Sequence, residues 1–357
     1  MNPIAPITAL VMRLLGAALG LAAFGVRAAD GAEAVPGASG AGAAEIRLLN
    51  ASFDISRELF QELNPAFAAV WSARTGRRVS IQQSHAGSSK QARAVLDGLA
   101  ADVVTFNQVS DVDILAERGG LVPSDWRERF PHRSSPFTST IVFLVRRGNP
   151  RGIHDWRDLG QPGVSVIVPN PKTSGNGRYS YLAAWAYAVK KLNLNQVEAA
   201  EFVGRIVRSV PVFDTGGRGA TTTFAQRGIG DVLLTFEAEV LLTVAEVGAD
   251  GLELVRPPFS VEAEMPVAVV EKVARRRGTE AVARAYLEFL YDEAGQEIVA
   301  RHHYRPRLES VARRHASQFG SMELFSVDDL FGGWAAAQRD HFADGASFDR
   351  LMAAARR

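Results

Sequence analysis

The sequence contains no cysteine. That excludes disulfide bridges, thiolate metal sites, a cysteine nucleophile and lipid attachment through an N-terminal cysteine. Charge of either sign is not in excess: 40 Lys and Arg stand against 39 Asp and Glu in 357 residues. Such a balance gives no nucleic-acid footprint and no general electrostatic trap for anions, so any anion site must be built locally. Three patterns are also missing: the phosphate-binding GxxxxGK[ST], the nucleophile elbow GxSxG and the zinc-binding HExxH. The apolar run at residues 14–25 falls short of the ~20 residues that span a bilayer.

That run has another use. Arg13 precedes LLGAALGLAAFG (14–25), and Val26-Arg27-Ala28 follows, with small residues at positions −3 and −1 of a cut after Ala28. This is the layout of a secretory signal peptide, predicted over residues 1–28. GAEAVPGASGAGAA (31–44) is Gly/Ala-rich, and a flexible spacer is expected over 29–44. An exported, cysteine-free chain must be stable through its own core. The expectation is a monomer free in a bacterial periplasm.

Beyond residue 44, short apolar runs alternate with helical patterns. Strands are predicted at EIRLLNAS (45–52), VSIQQ (79–83), DVVTF (102–106), TIVFLV (140–145), VSVIV (164–168), VPVF (210–213), DVLLT (231–235) and VAVV (267–270). Helices are predicted between them, near 59–71, 89–99, 179–191 and 196–207, the first broken or kinked by Pro65. This rhythm argues for an α/β protein with parallel-rich sheets flanked by helices.

Five strand-to-helix junctions share a character: Ser52–Ser56 (SFDIS), Ser84–Ser89 (SHAGSS), Asn170–Arg178 (NPKTSGNGR), Asp214–Gly219 (DTGGRG) and Thr235–Glu237 (TFE). Taken singly, each is an ordinary capping or turn sequence. Taken together, they put hydroxyls and backbone N–H groups at helix N-termini beyond the carboxyl ends of strands, where open α/β sheets bind ligands. A pocket of donors alone suits a fully ionised oxyanion. Phosphate near neutral pH carries a proton, which would meet a buried donor and leave it unpaired, so sulfate is favoured.

The chain resembles the periplasmic sulfate-binding proteins that serve ABC-type importers, along nearly all of residues 45–350. The resemblance lies in SHAGSSKQA (84–92), TSTIVFLVRRGNP (138–150), IHDWRDL (153–159), NPKTSGNGRYSYLAAWAYA (170–188), RGIGDVLL (227–234), YDEAGQEIVARHHYRPR (291–307) and FGGWAAAQRDHFADG (331–345). It implies a two-lobed periplasmic-binding-protein fold of type II, with lobe 1 at 45–138 and 260–357 and lobe 2 at 139–259. It also implies sulfate as ligand, a membrane permease of an ABC importer as partner, and neither cofactor, metal nor nucleic acid. By motif, Ser88 would give a hydroxyl, and Ser174 a hydroxyl and an amide. Gly175, Asn176 and Gly217 would give amides, and Asp54 its backbone N–H. Arg178 and Arg218 would support the site without clasping the anion.

Two positions depart from that pattern. Asn176 stands where the family has glycine, which an amide contact tolerates. Phe236 stands where the family has a tryptophan donor, and Phe has no N–H to give; its ring is expected to wall the site. Residues 106–110, FNQVS, are also more polar than the family stretch. The same scaffold holding thiosulfate, molybdate or another tetrahedral dianion is therefore an alternative. A hydrolase built on Ser88 and His85 is a distant one, and His302-His303 is expected to face solvent or the lobe interface rather than a metal.

Overall fold

The computed structural model describes residues 45–247 and 251–355. The signal peptide and spacer expected over 1–44 lie outside these residues. What is described belongs to one unit, Ala43–Arg357.

Among the described residues the strands form two sheets. The first has the order β10-β3-β1-β2, from β1 (Ile46–Phe53), β2 (Val79–Ala86), β3 (Val103–Thr105) and β10 (Val267–Val269). β1 runs parallel to both β2 and β3, and β10 returns antiparallel beside β3. The second follows the order β12-β9-β4-β7-β5-β6. Its members are β4 (Phe137–Arg146), β5 (Val166–Pro169), β6 (Phe213–Asp214), β7 (Val232–Phe236), β9 (Phe259–Glu264) and β12 (Glu323–Phe325). β8 (Leu252–Val255) and β11 (Arg305–Pro306) also pair with β4. β5, β6 and β7 are mutually parallel, whereas β4 opposes β7, β8 and β9.

β4 is buried along nine of its ten residues. Its TIVFLV run reads as continuous rather than alternating because both faces are covered. Helix Gly175–Lys190 is likewise buried from Gly175 to Ala188, so its apolar residues go all the way round. Helix Arg57–Thr75 passes through Pro65 unbroken, contrary to the break expected there. Leu59, Phe60, Leu63 and Phe67 fasten it to the core, and that packing outweighs the one backbone bond a proline removes.

The chain crosses between the sheets three times: before β4, between β9 and β10, and between β10 and β11. Past the last crossing, β12 pairs with β9 at Glu323↔Phe259, and helix Ser347–Ala355 packs on helix Gln196–Arg208. The last thirty or so residues thus lie against the second sheet.

Candidate functional site

The carboxyl ends of β1 and β2 in one sheet, and of β5, β6 and β7 in the other, carry the five junctions. The structure brings them together. A methyl group placed on Gly87, after β2, would lie 2.9 Å from the Thr173 carbonyl oxygen and 3.2 Å from that of Thr215. Gly175, after β5, abuts the carboxamide and carbonyl of Asn107, after β3. Gly216, after β6, abuts the Asp54 carboxylate, after β1, and Gly217 faces Ile55. At Gly87 and Gly175 the requirement is close approach of two backbones, which a side chain would prevent; Gly216 and Gly217 instead face the Asp54 and Ile55 side chains.

Helix Gly175–Lys190 starts four residues before the expected 179. Ser174 holds its N-cap position with extended backbone, yet its hydroxyl makes no capping bond. The first intrahelical bond runs from Arg178 N–H to the Ser174 carbonyl at 3.1 Å. The N–H groups of Gly175, Asn176 and Gly177 therefore lack helical acceptors, and the helix dipole adds partial positive charge there. Helix Ser88–Leu96 repeats the arrangement: Lys90 and Gln91 donate to the Gly87 carbonyl at 2.9 and 3.0 Å. The Ser88 hydroxyl is fully buried, makes no well-formed hydrogen bond, and lies close to the Asp111 carboxylate.

The charged groups around these donors are committed elsewhere. The Arg178 guanidinium donates to the Pro171 carbonyl and the Ser110 hydroxyl, both at 2.9 Å, and lies 3.8 Å from Asp111. Burial pushes the Asp111 carboxyl up, against the pull of Arg178. Asp111 also accepts from Ser89 Oγ at 2.9 Å. Arg218 donates through its backbone N–H to Asp54 Oδ2 at 3.2 Å and through Nη2 to Glu58 at 2.7 Å. Glu239, fully buried, lies 3.5 Å beyond the same guanidinium nitrogen, and burial raises its carboxyl to about 7. Asp54 is also pushed up by burial, opposed by the Arg218 amide. His85, beside Ser88 in sequence, has its Nδ1 3.1 Å from the Phe53 carbonyl, and burial lowers its pKa.

The two departures meet at one corner. Asn176 is buried, its Nδ2 donating to Thr235 Oγ1 at 2.7 Å and its Oδ1 accepting from Ser180 Oγ at 3.3 Å. Phe236 follows Thr235, closes β7, and is fully buried with its ring edge-on to Tyr179, centroids 6.0 Å apart. From the sequence, Asn176 is expected to give an amide, with its side chain able to replace part of the missing indole donor, and Thr235 to open a junction; Asn107 is not singled out. Asn107 is buried with its Oδ1 unpartnered. Its signal was the polar stretch FNQVS, visible as unusual but without an address. His302 and His303 face different partners, Glu62 and Gln318, each at 2.8 Å.

Known proteins resemble this chain along most of its length. The family described as Bacterial extracellular solute-binding protein matches residues 56–305. The chain is 52% identical over 312 residues to a thiosulfate-binding protein of Pseudomonas aeruginosa, spanning 87% of this chain and 94% of that one. It is also 52% identical over 309 residues to a sulfate-binding protein of Salmonella typhimurium, spanning 87% and 94%. The solved sulfate-binding protein SubI from Mycobacterium tuberculosis has a TM-score of 0.75 and 32% identity, covering 83% of this chain and 99% of that one. The two-lobed solute-binding fold expected from the sequence is borne out by that match. A family of solute carriers rather than enzymes also closes the hydrolase alternative. The chain belongs to the bacterial extracellular solute-binding proteins, among the sulfate- and thiosulfate-binding members.

Proposed function

We propose that this chain captures sulfate or thiosulfate in the crevice between the two sheets and delivers it to the membrane permease of an ABC importer. The observation that carries the reading is the meeting of helix N-termini from both sheets around unengaged hydroxyls, while the nearest arginines are occupied by other partners. The hydroxyls of Ser88 and Ser174 and the amides of Asp54, Gly175, Asn176 and Gly217 are the proposed donors, with Phe236 as an apolar wall; the Ser174 amide, expected from the sequence as a further donor, is spent on the Asn170 carbonyl at 2.9 Å. Arg178 and Arg218 hold the donor loops in place. The relatives' names, one for sulfate and one for thiosulfate, support both ligands equally.

The proposed lobes are 45–138 with 260–357, and 139–259, with the last segment reaching across through β12. Closure of one on the other buries the anion. The working location is the periplasm, as a monomer, after removal of residues 1–28. Calorimetric competition of the exported protein with sulfate, thiosulfate and molybdate tests the reading. Saturable one-site binding of sulfate or thiosulfate is expected; binding of neither would refute it.

A further inference from the structure

We propose that the side chain of Asn176, and not only its amide, contacts the anion and sets the preference between sulfate and thiosulfate. The proposal rests on the oxyanion-binding function argued above. Its starting point is an incomplete set of bonds. A carboxamide nitrogen carries two hydrogens. One goes from Nδ2 to Thr235 Oγ1 at 2.7 Å, and the other has no partner among the described residues, although the residue is only 1% exposed. The nitrogen thus keeps one donor to spare inside the protein.

The surroundings of that nitrogen indicate what the second hydrogen serves. Asn176 is the second residue of helix Gly175–Lys190, beside the free amides of its first turn. A methyl group on Gly217 would fall 3.2 Å from Nδ2, so the nitrogen stands between that helix start and the Gly217 amide. The oxygen end of the carboxamide is held by Ser180 at 3.3 Å, which keeps the acceptor away from Gly217 and the donor toward it. A strut tying the helix to β7 would be complete with the Thr235 bond alone. A donor placed between free amides is of use only to a group with lone pairs.

The next residue along β7 after Thr235 is Phe236, which offers no donor. At this corner the pocket thus has one N–H, from Asn176, and an aromatic wall. An N–H favours an oxygen, whereas an aromatic ring accepts a polarizable sulfur well. Sulfate must put an oxygen at every corner and depends on the donor. Thiosulfate can turn its terminal sulfur toward Phe236 and depends on it less. Asn176 therefore keeps sulfate within the range of this pocket.

The test is titration of native protein, Asn176→Gly, Asn176→Asp and the double variant Asn176→Gly/Phe236→Trp with sulfate and with thiosulfate, alongside thermal melts. Loss of one hydrogen bond to a charged ligand predicts a ten- to hundred-fold fall in sulfate affinity for Asn176→Gly, and a smaller fall for thiosulfate. Asn176→Asp keeps the shape and turns an acceptor toward a dianion, so it should lose both ligands while still melting as a folded protein. Phe236→Trp should return sulfate binding to the Asn176→Gly background by adding an indole donor. Native-like sulfate affinity in both single variants would make Asn176 a strut and overturn the proposal while leaving the binding function intact. Should Asn176→Gly fail to fold, the near-isosteric Asn176→Asp decides alone. Native protein that binds neither anion would remove the function itself, and this inference with it.

Discussion

Gly175 of one sheet's junction abuts both the backbone carbonyl and the carboxamide of Asn107 from the other. No side chain fits between them. The contact joins loops whose only covalent connection runs through the crossing strands, so it can form only when the two sheets' carboxyl ends approach.

Gly175→Ala should keep those ends apart. Its methyl would meet the Asn107 carbonyl at 2.9 Å, and that atom belongs to backbone that cannot swing aside. Sulfate affinity is expected to fall at least tenfold, with a larger radius of gyration by solution scattering in the presence of ligand. Native affinity and radius together would show that the approach of Gly175 to Asn107 is not part of binding.

Ser174→Ala separates ligand binding from capping. The hydroxyl caps nothing in its own helix, so its removal should leave the melting temperature nearly unchanged. Loss of a hydrogen bond to a charged ligand predicts about 1.5–3 kcal/mol, or roughly ten- to hundred-fold in affinity. A lowered melting point with unchanged affinity would return Ser174 to an ordinary N-cap.

Arg178 and Asp111 are expected to act as a pair. Both are buried, 3.8 Å apart, and Arg178→Met would leave the carboxylate without its counter-charge. Breaking one side of a buried pair costs about 3–5 kcal/mol, and removing the second partner returns much of it. Urea unfolding of Arg178→Met and of Arg178→Met/Asp111→Asn checks this. Equal destabilisation in both would mean that the guanidinium matters for its bonds to Pro171 and Ser110 instead.

Glu239 gives the fold a pH dependence. Burial raises its carboxyl from the usual 4.5 to about 7, so the folded state holds a proton that the unfolded state releases. The stability this provides is fully present below pH 4.5 and is lost as pH rises through about 7, up to about 3 kcal/mol in all. Asp54, also raised, and the ion pair of Arg218 with Glu58 share the cluster. Glu239→Gln should match native protein near pH 4.5 and exceed it in urea midpoint at pH 8. Parallel profiles for the two proteins would exclude Glu239 as the source.

Much of the fold was legible because its parallel strands are short apolar runs, as VSVIV and DVLLT are. The strands β8, β9 and β12 were not, since LELV, FSVEAE and ELF are short, carry glutamates and are set by pairing with distant partners. The shift of the helix start from 179 to Gly175 has a similar cause. NGR scores as a turn locally, but Asn176 and Arg178 are fixed by bonds to Thr235, Pro171 and Ser110. The site's chemistry was readable from the small polar junctions. Which junctions touch one another was not, because Gly87 meeting Thr173 and Gly175 meeting Asn107 depend on two sheets converging. Asn107 escaped notice for that reason.

Uncharged donors at the helix N-termini are expected to select a fully ionised dianion over one that carries a proton. Calorimetric titration at neutral pH with sulfate and then with phosphate tests it most directly. The account predicts one saturable site for sulfate and phosphate binding at least tenfold weaker, because the phosphate proton leaves a buried donor unpaired. Phosphate binding as tightly as sulfate would contradict it and would place an acceptor, such as the unpartnered Asn107 Oδ1, inside the pocket.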